Sequence, residues 1–203
     1  MKARNIFSGM MGALAAVLLA ATPVAAGDPV MSLQPLHPGR EVVLEPEFEG
    51  EWVMADWNGK LTVTREKNFD GRELDSYRMQ VDLSDEVTSF EVHLVRLRST
   101  VFADIRQTSE TGLFVLHPHV FAKIRVDCDE LHFDFLHEYF VEKALESGST
   151  DLAHEWMDGN TLVLTAPSNE LQDFMESCAF DDEAFGEHVS FTRMKAQPDN
   201  PKP

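Results

Sequence analysis

Cysteine is scarce in this chain, with two among 203 residues, so neither a disulfide-dense scaffold nor a four-cysteine zinc site is available to it. Basic residues are also few, 17 against 35 acidic ones, for a formal net charge of −18. A surface of that sign repels phosphate backbones and anionic lipid, so nucleic acid is excluded as an expected partner. Beyond the first 26 residues no apolar run approaches the roughly 20 residues that a membrane-crossing helix needs. No integral membrane segment is therefore expected after the leader. Internal repeats and low-complexity tracts are lacking as well, and no motif for a cofactor is found.

What is present begins with an address. Lys2 and Arg4 form a positive start, Met10 to Leu19 an apolar core, and Val24-Ala25-Ala26 a small-residue cleavage site, the three-part pattern of a signal peptide over residues 1–26. Its removal would leave 177 residues, 15 of them basic and 35 acidic, a net of −20. The expected location is secreted or periplasmic. In an oxidising compartment Cys128 and Cys178 are expected to pair, closing a loop of about 50 residues worth ~2–4 kcal/mol. A free Cys178 buried on an apolar helix stripe is the alternative.

Thr88 to Arg106 sets the pattern for the fold. With its turn at Arg98 and Ser99, period-two alternation puts Phe90, Val92, Leu94, Val101, Ala103 and Ile105 on one face. Glu91, His93, Asp104 and Arg106 fall on the other, with Val95 and Phe102. The same register sets Glu91 opposite Arg106 and His93 opposite Asp104, pairs worth ~0.2–1 kcal/mol each. Further strands are expected near Glu51–Asp56, Leu61–Arg65, Leu74–Leu83, Val120–Val126, Leu131–Leu136 and His188–Met194, separated by turn-forming residues. Asp158-Gly159-Asn160 signals a hairpin between Leu152–Met157 and Thr161–Thr165. Two helices are expected late in the chain. Glu138 to Ser147 is followed by Gly148 as a left-handed stop, and Asn169 to Ala179 carries the stripe Leu171, Phe174, Met175, Cys178 with Ser168 as N-cap.

The organisation read from this is a Pro-rich extended arm over 27–47, one domain over 48–194 and a loose tail over 195–203. About ten antiparallel strands in one domain favour closure, which removes free edges. The fold class is therefore mainly β, an antiparallel meander closed into a barrel, with a β-sandwich as the alternative.

Gly50-Glu51-Trp52 at the first strand and Arg193 in the last resemble the two ends of the lipocalin and calycin pattern. In that superfamily a Gly-x-Trp opens the barrel and a basic residue stacks on the tryptophan to close its base, a cation–π contact worth about 0.5–2 kcal/mol. Phe90 to Val95 is also similar to a Phe-x-Val-His-Leu-Val hairpin of uncharacterised exported bacterial proteins. The lipocalin resemblance implies a small hydrophobic or amphipathic ligand, with Tyr77, Met79 and Phe121 as candidates to line a cavity. A barrel of eight strands is either filled by side chains or hollow enough for one small ligand.

Polar candidates remain. His93 with Asp104 is the most enzyme-like pair, because a carboxylate orients an imidazole and raises its basicity. Ser89, Ser99 and Thr100 lie near it, none in a nucleophile elbow. His117 and His119 share an i, i+2 spacing that projects both to one side, and His132 with Asp134 repeats it beside Asp127 and Asp129, a pattern open to zinc or calcium. Three functions follow as expectations: a lipocalin-like binder, a structural or protein-interaction module of the cell envelope, and a metal-dependent or His/Asp hydrolase.

Overall fold

The computed structural model describes residues 29–54, 59–83, 86–108, 117–158, 161–185 and 187–195. The leader, Trp57, the Ser84-Asp85 turn, Gly159-Asn160 and the tail from 196 lie outside the described residues. In chain order the elements are strands β1 (Met31–Ser32), β2 (Gly50–Val53), β3 (Gly59–Lys67), β4 (Glu73–Leu83), β5 (Glu86–Leu97), β6 (Thr100–Thr108), β7 (His119–Asp127) and β8 (Glu130–Phe135). Helix α1 (Glu138–Glu146), strands β9 (His154–Met157) and β10 (Thr161–Leu164), helix α2 (Ser168–Cys178) and strand β11 (Glu187–Arg193) complete the series.

Eight of these strands close on themselves. The order β6-β5-β4-β3-β2-β11-β8-β7 is completed by a β6–β7 ladder, giving an antiparallel barrel of lipocalin-like form with both helices late in the chain. The β5–β6 hairpin turns at Arg98 and Ser99 and pairs Glu91 with Arg106, Val92 with Ile105 and His93 with Asp104. Register survives because the apolar set must face inward; a slip by one residue would turn it to solvent.

Inside the barrel Trp52, Tyr77, Phe90, Phe133 and Phe191 meet with the aliphatic side chains between them, each 4 % exposed or less. Phe48 plugs one end from a single 3-10 turn (Pro46–Phe48), edge-on to Tyr77 at 5.1 Å. The Tyr77 hydroxyl is tied to the backbone of Glu45, donating to its carbonyl and accepting from its N–H. So little surface is left for a water-sized sphere that this interior is filled by side chains, one of the two states open to an eight-stranded barrel.

A second core lies outside the barrel. Val95, Leu97, Phe102 and Phe121 turn outward from β5, β6 and β7 and are buried beneath Val141 of α1, Leu171 and Met175 of α2, and Leu162 and Leu164 of β10. These three strands thus bury both faces, which explains the apolar Val95 and Phe102 on the face that otherwise carries charge. The arm takes part in the same core. Val30 and Leu36 are fully buried, β1 bridges β7 and β10, and Val43 donates to the Leu94 carbonyl.

Helix ends differ in detail from the sequence reading. Ser168 is the first helical residue of α2 and Pro167 takes the cap position without a side-chain bond. Proline at the edge of a helix costs no hydrogen bond, since the first amides lack partners in any case.

Candidate functional site

Trp52 and Arg193 are register partners across β2 and β11, and the guanidinium carbon sits 4.0 Å from the centre of the indole ring. Arg193 also donates to the carbonyls of Glu49 (2.8 Å) and Glu47 (2.5 Å), so one side chain holds the plug and the first strand together. Gly50 makes room for it. Its φ is +147°, and a Cβ there would run into the guanidinium. Tyr77 and Met79 point into the packed interior, whereas Phe121 belongs to the outer core.

The two cysteines are free, which corrects the expected disulfide. Cys178 is buried in α2, and burial pushes its thiol up to about 12. Cys128 is exposed in the turn after β7. Lys123 of β7 reaches the carbonyl of Ala179, next to Cys178. Five residues of strand then carry the chain about 17 Å onward to Cys128, far past the ~7 Å that a bridge spans between Cα atoms.

Asp104 gathers residues that sequence reasoning assigned to different sites. It is 1 % exposed; one carboxylate oxygen accepts the Nδ1–H of His119 at 2.6 Å, and the other accepts the Nδ1–H of His37 at 3.0 Å and the Leu36 amide at 2.7 Å. His93, its register partner, stacks on His37 with ring centres 4.1 Å apart. Burial alone would raise the Asp104 pKa, but the hydrogen bonds from His119 and His37, the charge of His119 and the Leu36 amide outweigh it and hold it at about 2. Burial, and then the neighbouring His37, lower the pKa of His93. His37 came from the arm, where no periodicity marks it. His117 does not join this group, and its buried Nδ1 has no partner among the described residues.

A second polar group occupies the open side of the barrel, on the outer face of β8 and β11. Register sets His188 opposite Asp134 and Ser190 opposite His132. Asp134 accepts the Nδ1–H of His188 at 2.7 Å, the Ser190 hydroxyl lies 2.7 Å from His188 Nε2, and His132 Nδ1 is 3.0 Å from both. His132 is buried, while His188 and Ser190 are exposed. Sequence reasoning found His132 and Asp134 but missed their partners; the His-x-Ser spacing of the last strand was the available signal. Asp134, His188 and Ser190 stand in the order of a proton relay. Ladder amides lie in the plane of the sheet, so its outer face provides no backbone donor for an oxyanion, the largest contribution to acyl transfer.

Among the described residues no group of three or more His, Cys, Asp or Glu side chains is placed to hold a metal ion, and no helix is long and apolar enough to cross a membrane. Comparison with protein-family models, with curated proteins and with solved structures finds no match to this chain.

Proposed function

We propose that this chain is an exported protein of the cell envelope that acts through its outer surface, as a structural or protein-interaction module. The observation that carries this reading is the packed interior: an apolar ligand needs a cavity of several hundred Å³, and the aromatic side chains from Phe48 to Phe191 occupy that space. The leader pattern of residues 1–26 supports export.

Strand β9 supports the surface role. Among the described residues its ladder runs only to β10. Because Thr165 donates to the Ala153 carbonyl, the alternation of antiparallel pairing turns the backbone groups of His154 and Trp156 away from β10. Trp156, 44 % exposed, stands on that edge. An extended partner segment can add there as a strand.

Titration of the mature protein with an apolar fluorescent dye tests the proposal, in a Trp57→Phe, Trp156→Phe background that leaves Trp52 as reporter. The expected outcome is no saturable uptake. One dye bound per chain with energy transfer from Trp52 would return the protein to the class of small-ligand carriers.

A further inference from the structure

The group on β8 and β11 brings two imidazole nitrogens and a hydroxyl oxygen into one small triangle on the outer face of the barrel. His188 gives its Nδ1–H to Asp134 at 2.7 Å, which leaves a lone pair on Nε2. His132 has the Glu130 carboxylate 3.3 Å from its Nε2, and in its Nε2–H tautomer the lone pair is on Nδ1. The two nitrogens lie 3.0 Å apart, bridged by a proton when His132 carries it on Nδ1 and open to a shared cation when it does not. The Ser190 oxygen completes a triangle, 2.7 Å from one nitrogen and 3.0 Å from the other.

We propose that this triangle binds a divalent first-row transition-metal ion, with His132 Nδ1, His188 Nε2 and Ser190 Oγ as its ligands. An ion about 2.1 Å from each ligand atom, with right angles between the bonds, sets neighbouring ligand atoms about 3.0 Å apart, the spacing of both edges that meet at His132; the edge between Ser190 and His188 is 2.7 Å. Tetrahedral angles would need about 3.4 Å. The geometry is therefore one triangular face of a six-coordinate ion, with water on the three positions that point away from the sheet.

Ligand chemistry agrees. Imidazole suits zinc, copper and nickel better than calcium or magnesium. His188 gives its Nδ1–H to Asp134, the arrangement that fixes the tautomer and raises basicity in metal-ligating histidines, and the Glu130 carboxylate stands 3.3 Å from His132 Nε2. Asp134 and Glu130 also supply the negative charge that offsets the ion. The third ligand is a hydroxyl rather than a His, Cys, Asp or Glu. Lys123 and Arg125 stand in the adjoining row on β7, opposite Asp134 and His132. Lys123 is held to the Ala179 carbonyl and Arg125 to Asp127, so neither cation occupies the triangle.

Zinc titration of the mature, chelator-stripped protein against a chromophoric indicator tests the site. One equivalent should bind per chain. His188→Ala should weaken binding at least 10-fold, and Asp134→Asn by about 10–100-fold, the usual effect of removing a carboxylate behind a metal-bound histidine. His154→Ala, on β9, should leave the affinity unchanged. His188 is half-exposed, so its variant keeps the fold, and circular dichroism of each variant verifies this. No competition with the indicator, or equal affinity in the wild type and His188→Ala, would overturn the assignment and leave a shared proton between the two imidazoles.

Discussion

Asp104 shows how much one side chain can organise. A carboxylate this buried is costly unless it is fully bonded, and three donors from two segments far apart in sequence meet that requirement. Its pKa lies below the ordinary carboxylate value, so its contribution to stability is complete above the unfolded value near 4 and is lost as pH falls towards about 2. Asp104→Asn should cost about 1–3 kcal/mol at neutral pH, since it removes charge-assisted bonds and leaves a buried donor unpaired. That difference should shrink when both proteins are compared at about pH 2.5, where the carboxyl of the unfolded chain is already largely protonated and most of the ionised form's advantage is lost. Urea unfolding at the two pH values measures it; a gap of constant size would mean that Asp104 is not ionised in the folded protein.

Among the elements, the arm and the β5–β6 hairpin represent opposite cases. The hairpin was legible because its instructions are local: alternation, a tight turn and two cross-strand pairs select one register. The arm offered only prolines and scattered apolar residues. Its order comes from distant partners, among them the β7 and β10 backbones, the Leu94 carbonyl, Asp104 and the outer core. Leu36, fully buried there, tests this. Leu36→Ala should destabilise the protein by about 2–5 kcal/mol, the range for emptying a packed leucine site, as read from its denaturant midpoint. A shift within ±0.5 kcal/mol, typical of surface positions, would show the arm to be an accessory to the fold.

At the scale of the whole molecule, the inner and outer cores share β5, β6 and β7, whose side chains alternate between them. Neither core can lose its packing without disturbing the strands that support the other. Unfolding should therefore be a single transition, with tryptophan fluorescence and far-ultraviolet circular dichroism giving coincident curves. Separate midpoints would mean that the helices and arm leave first and the barrel survives alone.

The β-rich class, most strand positions, both late helices and the inward-facing set follow from the sequence by itself, because periods of two and 3.6 residues are properties of a chain's own backbone. The tertiary structure alone decided the rest. Closure through β6 and β7, the filling of the interior, the separation of Cys128 from Cys178, and the meetings of His37 with Asp104 and His132 with His188 all depend on which strands become neighbours. That is set by the packing of two cores, a balance of shape and buried area over the entire chain that no local period records.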